Sequence, residues 1–126
     1  MVSKNELLHR ADFISLNCDL NPTSYHLLSN EDFALLKPTT VVINTSRGPV
    51  IDETSLVKAL QQKQLAGAAL DVFEVEPLPT DSPLRELDNV ILAPHNANSS
   101  PKAWEQVHKN TIENLLGVLE AHRNGH

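Results

Sequence analysis

The chain has 126 residues, 40% of them hydrophobic, with ten Lys or Arg against sixteen Asp or Glu for a formal charge of −6, the length of one domain with a modest core. The basic residues are scattered, whereas a duplex-binding surface needs clustered positive charge, and no apolar run reaches the roughly 18 to 20 residues that span a bilayer. One cysteine, Cys18, excludes an internal disulfide and a cysteine-built zinc site; with no apolar h-region near the N-terminus, it points to a reducing cytoplasm.

In chain order, Ser3 and Glu6 form a capping-box pattern that predicts a short first helix through Leu7 and Leu8. Asp12–Cys18 reads as a strand, and Asn21, Pro22, Thr23 and Ser24 as a polar turn. A second helix is predicted from Ser29 to Leu36, ending before Pro38 because a residue preceding proline is pushed out of helical geometry. Val41–Thr45 is a β-branched run typical of a buried parallel strand. Asp52 caps a helix to about Gln62, with Leu56, Val57 and Leu60 on one side. Ala66–Val72 and Val90–Ala93 are the third and fourth strands. Ser99 or Ser100 with Pro101 opens a last helix, on which Trp104, Val107, Leu115, Val118 and Leu119 form an apolar stripe.

Strands alternating with helices predict an open α/β sheet of about four parallel strands, with right-handed crossovers and flanking helices on both faces. In such sheets ligands bind at the carboxyl ends of the strands. Thr45-Ser46-Arg47-Gly48, Asp71 with Glu76, and His95 each follow a different strand, so three loops carrying Arg, Asp/Glu and His converge on one predicted site.

The segments Asn44–Glu53 (NTSRGPVIDE), Gly67–Pro77 (GAALDVFEVEP) and Asp88–His95 (DNVILAPH) resemble the motif series of the D-isomer-specific 2-hydroxyacid dehydrogenases, a family that includes phosphoglycerate, glyoxylate, formate and D-lactate dehydrogenases. Leu7-Leu8, Ala11–Phe13 and Cys18–Pro22 resemble the preceding segment of that family, so the likeness covers nearly the whole chain in order. It implies the second half of a Rossmann-like NAD-binding domain over residues 1–100. It also implies that the helix over 101–126 returns toward a substrate domain.

The resemblance implies specific roles. Arg47 falls on the family's substrate arginine, where a planar guanidinium can grip a carboxylate and 2-oxo group with two parallel hydrogen bonds; by position alone it is an ordinary strand-end arginine. His95 falls on the acid–base histidine, whose unperturbed pKa near 6.5 lets it give or take a proton. Glu76, rather than the neighbouring Glu74, falls on the glutamate that partners it; an anion there favours imidazolium and fixes the ring. Asp71 matches an aspartate near the nicotinamide carboxamide. Thr45, Ser46 and Arg47 would line the nicotinamide side, Cys18 is expected as a packing and cofactor-contact residue, and His95, Asn96, Ala97 and Asn98 would close the pocket. His9, His26, His108, His122 and His126 have no matching context and read as ordinary surface histidines.

Departures from the family pattern fall on the cofactor side: Asp19 where proline is usual, Asn21 and Ser24 where threonines are common, and His95-Asn96-Ala97-Asn98 in place of His-x-Gly-Ser/Ala. The four glycines, 48, 67, 117 and 125, form no Gly-x-Gly-x-x-Gly loop for a pyrophosphate, and no ribose-reading acid follows one. The chain is therefore expected to be a fragment of an oxidoreductase, inactive alone. Hydride would pass between NAD(H), NADP not excluded, and a small D-2-hydroxy or 2-oxo acid. No metal, nucleic acid or membrane partner is expected. The strand Asp12–Cys18, with an unpaired edge, and the stripe on the last helix predict a homo-oligomer. An NAD-sensing corepressor-type protein and a phosphite dehydrogenase-like enzyme are the alternative readings.

Overall fold

Local chemistry sets each element. Ser3 caps α1 (Lys4–Arg10), its side chain accepting from the Glu6 amide. Ser29 and Asp32 form a reciprocal capping box on α2, a single turn over Asn30–Phe33 that relaxes into turns before Pro38. Asp52 caps α3 (Glu53–Gln61) through the Ser55 amide, and Leu56, Ala59 and Leu60 on that helix are buried. The computed structural model describes residues 2–97 and 99–124. They divide into two units, Met1–His95 and Asn96–His126.

In the first unit, β1 (Phe13–Leu16), β2 (Val41–Asn44), β3 (Gly67–Leu70) and β4 (Val90–Leu92) form one sheet in the order β1-β2-β3-β4, every pair parallel. Ile14, Val42, Ala68 and Val90 share one rung, and Leu16, Asn44, Leu70 and Leu92 another. These side chains face a core completed by Leu8, Phe33, Leu56, Leu60, Leu65 and Leu84, among others. Each Leu-sized side chain so buried contributes about 1.5–3 kcal/mol. Burial therefore fixes the register: a one-residue slip would carry Phe13 and Ser15 into the core.

The expected fold class is the observed one, an open parallel α/β sheet of four strands, although each strand is shorter at its ends than its apolar run. The expectation of helices on both faces holds for one face only in this unit. The opposite face carries Phe13 and Ile91, each 71% exposed, with Ile43 and Ala69 half-buried between the edges. The cause is the strand order. Each strand is added beside the last in one direction, and crossovers of one hand then share a face; α2 and α3 indeed pack on each other.

Two short 3-10 turns, Gly48–Val50 and Pro83–Glu86, were not anticipated, because one turn leaves no periodic apolar pattern. In the second unit, α4 (Pro101–Asn124) carries the predicted stripe, with Trp104, Val107, Leu115, Val118 and Leu119 all about half exposed.

Candidate active site

The carboxyl ends of the four strands carry the predicted residues in turn: Cys18 beyond β1, Thr45–Arg47 beyond β2, Asp71 beyond β3 and His95 beyond β4. Asn44, buried at the end of β2, builds the second of these loops. Its Oδ1 accepts from the Ser46 amide and hydroxyl at 3.0 and 2.9 Å, and its Nδ2 donates to the Arg47 carbonyl at 3.0 Å. This side chain does for the loop what a backbone turn would do. Arg47 leaves it exposed, with Nη1 turned back onto the Ser46 carbonyl at 2.7 Å. Asp71 is buried, its amide donating to the Asn44 carbonyl at 3.0 Å, so it prolongs the β2–β3 ladder by one residue. Cys18 packs against the core cluster.

Glu76 and His95 meet. Glu76 Oε2 lies 2.7 Å from His95 Nδ1, and Glu76 Oε1 accepts from the Phe73 amide at 3.0 Å. The His95 bond first, then the Phe73 amide, hold the Glu76 carboxyl below the usual carboxylate range, and the positive charge of Arg47 adds to the effect. An ionised carboxylate only accepts, so Nδ1 donates to Glu76. His95 adopts a left-handed backbone conformation, φ 56°, uncommon for a non-glycine residue and one that concentrates at functional sites. The pair borders a cleft of about 550 Å3 walled by Phe73, Leu78, Leu92 and Arg85, whose guanidinium is spent on the Pro79 and Leu78 carbonyls. Arg47 does not line this cleft; its charge reaches Glu76 without an ion pair.

Asn96 and Ala97, exposed, belong to the second unit, and Asn98 lies outside the described residues. A second histidine–glutamate pair was missed. His26, read as an ordinary surface residue, places Nε2 2.9 Å from Glu74 Oε1. Glu74 and Glu53 also exchange backbone-to-carboxylate hydrogen bonds. Glu53 and Glu74 stand in the motif segments, but no spacing rule brings residue 26 to residue 74.

Fold and rim together define an open α/β domain whose strand-end loops carry a hydrogen-bonded glutamate–histidine pair within reach of a guanidinium's charge. The family model for the NAD binding domain of D-isomer specific 2-hydroxyacid dehydrogenases matches residues 1–97, and the chain belongs to that family. It is 46% identical over 114 residues to a glyoxylate reductase of Thermofilum pendens, covering 90% of this chain and 34% of that protein. Among solved structures, an acyclic imino acid reductase in complex with NADPH and D-Arg superposes with a TM-score of 0.90 at 36% identity, over 95% of this chain and 38% of that one. A D-lactate dehydrogenase from Sporolactobacillus sp. gives a TM-score of 0.85 at 37% identity, over 94% and 40%. The chain thus spans little more than a third of the length of these relatives.

The residues present fit one half of a nicotinamide dinucleotide. A rim of hydroxyl, carboxyl and imidazole groups at the ends of β2, β3 and β4 suits a polar ring and ribose. Its phosphates find no cradle among the described residues. A Cβ on Gly48 would meet the Phe73 backbone at 1.9 Å, one on Gly67 would meet the Asn89 carbonyl at 2.6 Å, and Gly117 lies within α4. Gly48 lies in the loop ahead of α3 but is closed off by the Phe73–Glu74 backbone, and neither Gly67 nor Gly117 precedes a helix N-terminus.

Proposed function

We propose that this chain supplies the catalytic edge of an oxidoreductase acting on a small D-2-hydroxy or 2-oxo acid. The observation that carries the reading is the 2.7 Å contact between Glu76 and His95 at the carboxyl edge of a parallel sheet. The nicotinamide dinucleotide, NAD or NADP, supplies or accepts the hydride when bound, and Cys18, Thr45, Ser46, Arg47, Asp71, His95, Asn96, Ala97 and Asn98 are the residues proposed to meet it. In the reducing direction, His95 as imidazolium gives its Nε2 proton to the oxygen on which negative charge develops, while Glu76 holds Nδ1 and stabilises the cation. In the oxidising direction neutral Nε2 takes the hydroxyl proton. Arg47, released from the Ser46 carbonyl, grips the carboxylate through two parallel N–H donors. The reading includes a homo-oligomer in the cytoplasm, the latter supported by the single cysteine, and neither nucleic acid nor membrane as a partner.

The test is a chimaera in which this chain replaces the aligned segment of the Thermofilum pendens glyoxylate reductase. Glyoxylate-dependent oxidation of NADH or NADPH is expected, and His95→Asn should lower kcat by about 10²-fold or more, the usual scale for a lost acid–base group. Arg47→Met should raise KM and lower kcat together. A chimaera that binds dinucleotide yet turns over no acid in a 2-oxo acid panel would remove the reading.

A further inference from the structure

Glu76 can hold His95 only if the loop that carries it is itself held, and the loop has three anchors. First, residue 48, next to Arg47, lies flat on the Phe73–Glu74 peptide, where a Cβ would stand 1.9 Å from the Phe73 carbonyl carbon and 2.5 Å from the Glu74 nitrogen. Second, the Glu74 amide donates to Glu53 Oε2 at 3.0 Å while the Glu53 amide donates to Glu74 Oε1 at 3.1 Å. The Glu53 amide is the first of α3, so Glu74 caps that helix across 21 residues of chain, beside Asp52, which caps it from within. Third, His26 Nε2 reaches the same Glu74 oxygen at 2.9 Å. The His26 ring stacks on Tyr25 with centroids 4.0 Å apart, its backbone is left-handed at φ 49°, and its amide donates to the Pro49 carbonyl.

We propose that Glu74, with Glu53 and His26, is a positioning residue for the acid–base pair: it pins the Phe73–Glu76 turn so that one Glu76 oxygen meets the Phe73 amide and the other meets His95. The inference rests on the reading of Glu76 and His95 as that pair. Its geometry is a relay of fixed contacts from His26 and Glu53 through Glu74 to the Phe73 amide. Placing Glu53 and Glu74 together has an electrostatic cost. Burial pushes the Glu53 carboxyl up, and the charge of Glu74 adds to that rise against the hydrogen bond from its amide. Asp52 satisfies the Ser55 amide and Glu74 the Glu53 amide, so the carboxylate that completes this cap from outside the helix also ties the Phe73–Glu76 turn to α3.

The experiment follows the Glu76 side-chain carboxyl by carbon-detected NMR through an acid titration of the 126-residue chain. Glu76 feels two cationic groups, His95 and Arg47, and His95→Asn should move its midpoint upward. Glu74→Ala should move it the same way by a smaller amount, with far-UV circular dichroism unchanged, because a loosened turn lengthens the contact to His95. Glu74→Gln, which keeps an oxygen for the Glu53 amide, should restore most of the native midpoint. A folded Glu74→Ala chain with an unmoved midpoint, alongside a responsive His95→Asn, overturns the positioning role and leaves the pair standing. No response to His95→Asn overturns the pair itself. Should Glu74→Ala fail to fold, His26→Gln decides: an upward shift supports the relay, and none overturns it.

Discussion

At the residue scale, the two glutamates of Phe73-Glu74-Val75-Glu76 divide the work. Both offer carboxylates near a histidine, yet Glu76 faces His95 and Glu74 faces His26. The difference is set by where each sits relative to Gly48, whose missing side chain lets the arginine loop and the glutamate loop touch. Gly48→Ala should therefore destabilise the chain by about 3 kcal/mol or more, since its Cβ would collide with backbone that cannot rotate away. A urea midpoint equal to that of the native chain would disprove the close approach. Ionisation behaves differently at neighbouring positions. Glu76 has a depressed carboxyl, so the stability it contributes is present above the ordinary carboxylate range and is lost as pH falls through its lower folded value. Glu53 is raised, chiefly by burial, so its protonation favours the fold as pH falls through its higher value. Urea midpoints measured from pH 7 downward should hold or rise slightly before they drop, and Glu53→Gln should remove the early rise. The meeting of Glu76 with His95 was legible because two motif segments carried the two residues; the Glu74–His26 pairing was not, because contacts 48 residues apart leave no local mark.

At the scale of elements, caps decide more than propensity. The helix α3 was legible from Asp52 to Gln62 because its start has a carboxylate cap and its buried face a helical period, and the structure returns it as Glu53–Gln61. Predicted to run to Leu36, α2 stops after one turn. Its apolar residues, Phe33 and Leu36, are spaced for a helix, but Pro38 and the turn chemistry before it end the ladder early. What holds so short a helix is the buried Asp32. This carboxylate accepts from the Ser29 amide at 2.8 Å and the Ser29 hydroxyl at 2.9 Å, and pairs with Lys4 of α1 at 2.7 Å. Burial alone would raise Asp32; the bonds from Lys4 and Ser29 outweigh it and hold the group below its usual value. Replacing Asp52 by Ala should cost about 1 kcal/mol, a cap's ordinary worth. Asp32→Ala should cost more, about 2–3 kcal/mol, because it also leaves the Ser29 amide and Lys4 without their acceptor. Chemical denaturation of the two variants checks the order; equal losses would mean that α1 and α2 are not coupled through this group.

At the scale of the whole molecule, the sheet buries one face and one face only in its first unit. The sequence could not show this: Phe13, Val41, Ile43 and Ile91 read as strand-core residues, and only the strand order reveals that no described helix of this unit lies over the face they share. The consequence is an apolar surface bounded by β1, which among the described residues pairs with β2 alone and so leaves one row of backbone amides and carbonyls without a ladder partner there. Such a face and edge favour a second copy of the chain, since apolar burial rewards contact and an open strand offers hydrogen bonds in fixed register. Self-association is therefore expected in sedimentation velocity at micromolar concentration. Phe13→Ser and Ile91→Lys should weaken it, with stability changed by no more than about 0.5 kcal/mol because both side chains are already 71% exposed. The stripe on α4 offers a competing surface, and Leu115→Lys separates the two: association that survives the sheet variants but is lost with Leu115→Lys would place the contact on the helix instead. A concentration-independent monomer in the native chain would mean that the open face is tolerated in water, and that neither the edge of β1 nor the helix stripe recruits a partner copy.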